Sequence, residues 1–242
     1  MAWSQTLRGK GLKGTLKGSN IRVAGKYDAY LAEPAPEKSH KNAAILLLSD
    51  IMGVWQNSRL LADEFAAAGY LTLLVDLFYG DPVPVHKTED PSYDIQGWLD
   101  HGSNGKSPHT EEVVDPIIVD FINVLKGEYG IKRLGAVGYC FGAKVGYVAH
   151  PSFMGEDELA RLGGPLAIAA AEVDHLFPDE RRYKTEQILK ATKQPWQIFF
   201  YSGVVHGFAV RCDLKDKAQK LAKEQAFYQA IVWFDHYLLE DS

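Results

Sequence analysis

Apolar residues along the chain form short continuous runs that alternate with longer stretches of mixed polarity. The runs predict β-strands buried on both faces, at 43–49, 70–75, 134–140, 165–171 and 196–201. Helices are predicted at 58–68, 111–125, 141–150 and 216–239, mostly from apolar residues that recur at helical spacing. The alternation predicts an α/β protein with a mostly parallel, doubly wound sheet and helices on both faces.

Polar and cyclic residues mark the ends of the first two predicted helices. We expect Asn57 or Ser58 to cap the first helix, and Gly69 to end it. Pro116 suggests that the regular part of the second helix begins near Asp115, because proline suits the first turn of a helix.

The segment at 80–107 does not fit the alternation of strands and helices. It contains three prolines, among them Pro91, and a stretch this long between a strand and a helix is usually a lid or a disordered insert. Tyr93 and Trp98 favour a packed segment over disorder. We therefore predict a lid-like insertion within a single domain that covers 1–242.

Composition and charge narrow the class of protein. The 242 residues are 46% hydrophobic and 24% charged, which is typical of one globular domain. A net charge of −5 without a basic stripe argues against nucleic acid as a partner. No apolar run approaches a membrane span, and the N-terminus lacks the apolar core of a secretory signal. Its glycines predict turns and short edge strands, and we expect a cytoplasmic protein.

The motif Gly138-Tyr139-Cys140-Phe141-Gly142 follows the apolar run at 134–137. A strand, a sharp turn between glycines and then a helix, here predicted at 141–150, form the context of the nucleophile elbow of α/β-hydrolases. Cysteine replaces the usual serine, and the start of a helix would favour its thiolate. The competing interpretation is a buried structural cysteine in a packed turn.

A thiol nucleophile requires a base, and the base requires an acid that orients it. In this fold the chain order is nucleophile, acid, base. Asp174 follows the strand at 165–171, and His206 follows the strand at 196–201. Each has an ordinary alternative role, as a turn cap and as a loop histidine satisfied by water. Their order and their positions after different strands favour a triad with Cys140.

Other motifs exclude further chemistry. The sequence has no CxxC or HExxH, and no GxGxxG or GxxxxGK[ST], so we expect neither a metal nor a nucleotide cofactor. We expect His150 to end the helix after the elbow, away from the carboxyl edge of the sheet. Cys212 is interpreted as a structural thiol, since two cysteines are too few for a disulfide scaffold.

Several ordered segments together resemble the dienelactone hydrolase family, and its eukaryotic, notably fungal, members more than the bacterial enzyme. The resemblance extends from about 25 to 240. Besides the elbow, the segments that carry it are Asp50-Ile51-Met52-Gly53, Gly69-Tyr70, Val75-Asp76-Leu77-Phe78, Gly80-Asp81-Pro82, Asp174 and His206-Gly207-Phe208.

The resemblance implies a three-layer α/β-hydrolase fold with an eight-stranded, mostly parallel sheet. It implies that Cys140 attacks the carbonyl carbon, His206 handles the proton and Asp174 orients His206. The oxyanion hole would consist of the backbone N–H groups of Ile51 and Phe141, which agrees with the general rule for this fold.

The sequence departs from the bacterial family member at two places. A glutamate there contacts the resting thiol, and Asp50 holds the position here, so we expect a weaker or water-mediated contact. Of two arginines that bind the substrate carboxylate, one is absent from the segment at 78–81, and Arg211 is a displaced match for the other. Dienelactone itself is therefore not expected to be the substrate.

These residues predict a carboxylic ester hydrolase that cleaves small lactones or esters through a thioester. An acyltransferase or lactone-processing biosynthetic enzyme, and a non-catalytic ligand-binding protein of the same fold, are the alternatives. The partner is a small molecule, neither nucleic acid nor membrane, and the oligomeric state stays open. Residues expected to line the pocket are Trp55, Tyr79, Tyr93, Trp98, Phe208 and Arg211.

Overall fold

The computed structural model describes residues 14–88, 90, 92–142, 146–152 and 154–239. Some predictions lie outside the described residues. They concern the first turns of the N-terminus, Pro91 and residues 143–145 of the predicted elbow helix. The chain divides into two compact units, Met1–Leu134 and Gly135–Ser242, and each is described by itself.

The first unit combines an antiparallel edge with a parallel pair of strands. Its strands follow the order β1-β2-β4-β3, with β3 and β4 parallel and the other pairs antiparallel. All six residues of β3 are buried, which is why this strand appeared as a continuous apolar run. The elements are β1 (Ser19–Val23), β2 (Tyr27–Ala32), β3 (Ala43–Leu48), α1 (Gln56–Ala67), β4 (Leu71–Val75), α2 (Ile95–His101) and α3 (Glu111–Gly127).

The starts of two helices differ from the prediction. Helix α1 begins at Gln56 after extended Trp55, so Asn57 and Ser58 are buried inside its first turn and do not cap it. Gly69 ends it as predicted, at a φ of +105° that favours glycine. Helix α3 begins at the predicted Glu111, but its regular part also begins there and not near Asp115, since the Val114 N–H bonds to the Thr110 carbonyl at 3.0 Å.

The insertion at 80–107 has structure of its own, namely a 3₁₀ turn at Val85–Lys87 and helix α2. Trp98 is buried, and its ring packs against Phe78 with centroids 5.0 Å apart. The Trp98 indole also donates a 3.0 Å hydrogen bond to the Asp81 carbonyl. The aromatic residues thus pack this segment into the first unit, as the sequence indicated.

The second unit carries the parallel strands that follow the elbow. Their order is β5-β6-β7-β8, and every neighbouring pair is parallel. Helices α4 and α5 were not predicted from the sequence. The elements are β5 (Arg133–Tyr139), a 3₁₀ turn at Cys140–Gly142, β6 (Tyr147–Ala149), α4 (Glu156–Ala160), β7 (Leu166–Val173), α5 (Asp179–Thr192), β8 (Trp196–Val205) and α6 (Lys217–Leu238).

The helix predicted at 141–150 is wrong, because strand β6 occupies its second half. Tyr147, Val148 and Ala149 are all buried and pair in parallel with both β5 and β7. Aromatic and β-branched residues favour a strand, and Gly146, at a φ of +25°, disfavours a helix. The connection between β5 and β6 spans only 140–146, whereas parallel strands usually need a dozen or more residues.

Helix α6 packs closely on the strands of its unit. A Cβ at Gly135 would lie 2.7 Å from side-chain atoms of Phe234 and Leu238, so glycine is required for this approach. The Tyr147 hydroxyl donates a 2.6 Å hydrogen bond to the Ala226 carbonyl. Asp216 caps the helix through the N–H groups of its first turn.

Two features are absent from the described part of the chain. Within it, no helix is both long and apolar enough to cross a bilayer. The same residues contain no group of three or more His, Cys, Asp or Glu side chains arranged to hold a metal ion.

Candidate active site

The register of β7 and β8 brings Asp174 and His206 together. Val173 and Val205 are partners across the two strands and are their last residues. Asp174 directly follows β7, and His206 directly follows β8. The His206 N–H also bonds to the Val173 carbonyl at 3.1 Å. As a result Nδ1 of His206 lies 2.8 Å from Oδ2 of Asp174, and both side chains are buried.

The Asp174 carboxylate is held rigidly by the backbone. Its Oδ1 accepts hydrogen bonds from the N–H groups of Leu176 at 2.9 Å and Phe177 at 3.1 Å. Its Oδ2 is left for His206. The predicted turn-cap role and the predicted acid role therefore coexist, one for each carboxylate oxygen.

The backbone of Cys140 has the strain expected of a nucleophile elbow. Its φ is +55°, which is unusual for a residue with a side chain, and the side chain is 3% exposed. Its Sγ lies 3.2 Å from the Ser152 hydroxyl, where either atom could donate. Cys140 begins a 3₁₀ turn, where the sequence predicted the start of an α-helix. The helix dipole that was expected to favour the thiolate is therefore missing among the described residues.

The electrostatics of the site favour a thiolate paired with an imidazolium. Burial would raise the pKa of the Cys140 thiol, but the charge of His206, with Arg211 and Ser152, outweighs it and lowers that pKa. Burial would lower the pKa of His206, but Cys140 and Asp174 outweigh it and raise that pKa to about 9. The two shifts have one cause, the attraction between opposite charges in a buried site.

The far nitrogen of His206 is available for chemistry. Nε2 is buried and makes no well-formed hydrogen bond to any described residue. With Nδ1 donating to Asp174, Nε2 is the atom that can carry or release a proton on the side of the thiol.

His150 lies beside this pair, contrary to the prediction that it sits away from the carboxyl edge. It directly follows β6, is fully buried and has a φ of +40°. Its ring meets the His206 ring edge-on, with centroids 5.0 Å apart, and neither of its nitrogens has a partner among the described residues. Burial, followed by the charge of His206, holds its pKa well below the usual range, so the ring is neutral.

Two predicted pocket residues follow His206 along the chain. Arg211 packs over the turn at Gly207, where a Cβ would lie 2.5 Å from its guanidinium. The Gly207 φ of +89° likewise favours glycine. Phe208 is buried against Tyr201, with ring centroids 5.2 Å apart, and thus contributes to the core of this unit.

Apart from Phe141, the other predicted site residues belong to the first unit. Asp50 and Ile51 follow β3; both are buried, and Asp50 accepts a 3.1 Å hydrogen bond from the Met52 N–H. Trp55 and Tyr93 are half-buried, and Trp98 is buried within the insertion. Tyr79 is 56% exposed, with its ring 5.4 Å from that of Tyr27.

Sequence reasoning missed Ser152 and misplaced His150 for the same reason. Both follow β6, and the carboxyl ends of parallel strands share one edge of a sheet. The signal was the triplet Tyr147-Val148-Ala149, whose composition favours a strand. Recognising that strand would have placed the residues after it at the edge that carries Cys140, Asp174 and His206.

Comparison with a solved structure defines the class of protein. A protein from Klebsiella pneumoniae assigned as a dienelactone hydrolase matches this fold with a TM-score of 0.70. The match covers 92% of this chain and 99% of that one, at 18% identity. It confirms the predicted α/β-hydrolase fold with its mostly parallel sheet.

Sequence comparison gives the family. The model of the dienelactone hydrolase family matches residues 27–238. The chain is 44% identical to the hydrolase pyvD of Aspergillus violaceofuscus over 227 residues, 88% of each chain. It is 33% identical to dienlactone hydrolase 1 of Gibberella moniliformis, over 97% of this chain and 94% of that one. The chain therefore belongs to the dienelactone hydrolase family, and the predicted class, a hydrolase, is confirmed.

Proposed function

We propose that this protein hydrolyses small lactones or esters through a thioester on Cys140, with His206 as the proton carrier and Asp174 as its orienting acid. The observation that carries the proposal is the 2.8 Å contact between His206 and Asp174 beside a buried thiol. Family membership supports a small-molecule substrate.

Acylation begins from the thiolate and imidazolium pair. The Cys140 sulfur attacks the carbonyl carbon, and the negative charge moves to the carbonyl oxygen. The N–H groups of Phe141 and Ile51 are the proposed donors to that oxygen, with Ile51 assigned from the family resemblance. When the carbon–oxygen bond breaks, the leaving alkoxide takes the proton from Nε2 of His206, and a thioester remains. In a lactone the alcohol stays attached to the acyl group.

Deacylation reverses the proton transfer. Nε2 of the now neutral His206 takes a proton from water, and the oxygen attacks the thioester carbonyl. The carbon–sulfur bond breaks, and the sulfur leaves as a thiolate beside the renewed imidazolium. Asp174 accepts a hydrogen bond from the Nδ1–H of His206 throughout, which fixes the ring and stabilises its charged form.

The proposed substrate is an ester or lactone that carries at most one acidic group. Arg211, packed on the turn after His206, is the one basic residue retained from the pair that the family resemblance provides. A buried thiol nucleophile is preserved best in a reducing compartment, and the cytoplasm is the proposed location.

The direct test replaces the nucleophile. Cys140→Ala removes the sulfur from a buried site and is expected to lower kcat/KM for an activated short-chain ester by at least about 10⁴-fold. Turnover is followed by release of the chromophoric alcohol, and folding by circular dichroism.

Cys212→Ala is the matched control. Cys212 is also a buried free cysteine, but burial raises the pKa of its thiol, so it is a poor nucleophile. This variant should retain the activity of the parent protein. Equal activity of the Cys140→Ala variant and the parent would refute the proposed function.

A further inference from the structure

The Cys140 thiol has a hydrogen-bonding neighbour that the mechanism above does not use. The Ser152 hydroxyl lies 3.2 Å from Sγ, and the Ser152 N–H donates a 3.1 Å hydrogen bond to the Cys140 carbonyl. Ser152 is 2% exposed. One residue therefore contacts the cysteine through both its side chain and its backbone, inside a site from which water is largely excluded.

The short connection after the elbow brings Ser152 to this position. Tyr139 and Ala149 are partners across β5 and β6, so the residues after each strand end at the same edge. The His150 N–H bonds to the Ala169 carbonyl at 2.8 Å, which anchors the start of this turn to β7. Ser152 is thus placed by the sheet itself, and its hydroxyl has little freedom to move away from the thiol.

We propose that Ser152 is a catalytic residue, whose hydroxyl donates a hydrogen bond to the Cys140 thiolate in the resting enzyme and again when the thiolate leaves the acyl group. This inference rests on the proposed function, in which Cys140 is the nucleophile. The sequence predicted such a contact at Asp50.

The chemistry of the two groups fixes the direction of the hydrogen bond. A thiolate has no proton, so the Ser152 O–H must be the donor when Cys140 is ionised. The serine proton stays on its oxygen throughout, and no proton is transferred. During acylation the charge moves from sulfur to the carbonyl oxygen, and the hydrogen bond weakens. During deacylation the charge returns to sulfur, and the hydrogen bond stabilises the leaving group.

Ser152 acts within a defined set of charged and titratable neighbours. The imidazolium of His206 and the guanidinium of Arg211 act on the thiol, and the neutral imidazole of His150 packs against His206. Burial opposes the thiolate, and the hydrogen bond to Ser152 is one of the interactions that lower the pKa of Cys140 against it.

The test measures the thiolate itself. In a Cys212→Ser background Cys140 is the sole cysteine, and its ionisation is followed by the ultraviolet absorbance of the thiolate as pH rises. In Ser152→Ala the thiol titration should move up by about one pH unit. The acid limb of kcat/KM should move up with it, so that kcat/KM falls by about tenfold below both thiol pKa values and recovers above the new one.

Two further variants complete the experiment. Ser202→Ala removes a hydroxyl that bonds to the exposed Glu172, and it should leave the thiol titration unchanged. Ser152→Thr keeps a hydroxyl, and its titration should follow that of the parent protein. If Ser152→Ala fails to fold, the Thr variant decides the question. An upward shift of its thiol titration, although the hydroxyl is retained, contradicts the proposal.

An unshifted titration in folded Ser152→Ala overturns the proposal, as does a loss of activity that is the same at every pH, since that marks a merely structural role. The titration is recorded without substrate, so it does not depend on whether Cys140 turns over. Failure of the proposed function would instead appear as full activity in Cys140→Ala.

Discussion

The described residues include two pairs of a buried histidine and an aspartate, one in each unit. In the second unit Nδ1 of His206 lies 2.8 Å from Asp174. In the first unit Nε2 of His109 lies 3.1 Å from Asp81. Both histidines are buried, and both have one ring nitrogen without a partner among the described residues. By pairing geometry alone, either could orient a general base.

The surroundings of the two rings differ. His206 lies near the Cys140 thiol, and opposite charges raise its pKa to about 9 against the effect of burial. The His109 ring packs on Trp98, with centroids 4.5 Å apart, and meets Phe78 edge-on at 5.3 Å. Its partner Asp81 also accepts a 2.8 Å hydrogen bond from the Ser103 N–H. We interpret this second pair as a fastening of the insertion at 80–107.

The comparison teaches that a histidine paired with a carboxylate does not identify a catalytic site. The two rings differ in the neighbours of the remaining nitrogen: a buried thiol lies near one ring, and aromatic rings pack on the other. The comparison can be tested by making the same substitutions in both pairs.

The largest difference is expected for substitution of the histidines. His206→Gln removes the proton carrier and should lower kcat/KM for an activated ester by about 10³-fold. In His109→Gln the amide nitrogen can still donate to Asp81, and kcat/KM should stay within a few-fold of the parent value. Steady-state kinetics of the two variants measure this contrast, and a comparable loss in both would show that the pairs are functionally alike.

The effect on stability should be larger for substitution of His109 than for substitution of His206. His109→Ala leaves a cavity among Trp98 and Phe78, and the free energy of unfolding should fall by about 2–4 kcal/mol. Denaturant unfolding measures this loss. If the fall is under about 0.5 kcal/mol, as for an ordinary surface substitution, the ring does not fasten the insertion.

Substitution of the two aspartates should produce a smaller contrast in kcat/KM and stability than substitution of the two histidines. Asp174→Asn disturbs the orientation and charge of His206, and we expect kcat/KM to fall by about a hundredfold. Asp81→Asn should cost about 1–2 kcal/mol of stability through its weakened hydrogen bonds, with little change in kcat/KM. Kinetics and denaturant unfolding of the same two proteins separate these effects.

The smallest expected contrast between the two pairs is in the pH dependence of kcat/KM. His206 is protonated below a pKa of about 9, so activity that needs the imidazolium is present at neutral pH and lost as pH rises through about 9. Asp174→Asn removes an interaction that raises this pKa, and the alkaline limb of kcat/KM should move to lower pH. In Asp81→Asn the limb should stay where it is, and a shift there would contradict the assignment of His206.

Much of the fold could be predicted because buried parallel strands leave a plain signal. The runs that became β3 and β7 consist almost wholly of apolar residues, so their position and the α/β class followed from composition and order. The first strands were less evident, since β1 is mostly exposed and therefore has a mixed sequence.

The elbow helix was mispredicted because a motif was extended beyond its own residues. The glycines around Cys140 predicted the turn, and its positive φ agrees with that prediction. They carried no information on the next segment, where Tyr147 and Val148 favour a strand. Long-range pairing with β5 and β7 decides this strand, and no local pattern contains such pairing.

The proposed triad was predictable as an order of residues, but its geometry was not. Asp174 and His206 each follow a strand, which suggested one edge of a sheet. Their 2.8 Å contact depends on the register of Val173 with Val205, and this is set by packing along β7 and β8. The contact of Ser152 with Cys140 depends likewise on the turn after β6.

The central claim is that Cys140 carries the acyl group. An activated ester is mixed with the parent protein and with His206→Gln, in which deacylation should be slow, and the reactions are stopped with acid. Mass spectrometry of the intact chain and its peptides should find one acyl group, on the peptide that contains Cys140. Turnover of the ester by the parent protein with no acyl group on Cys140 in either sample would contradict the account.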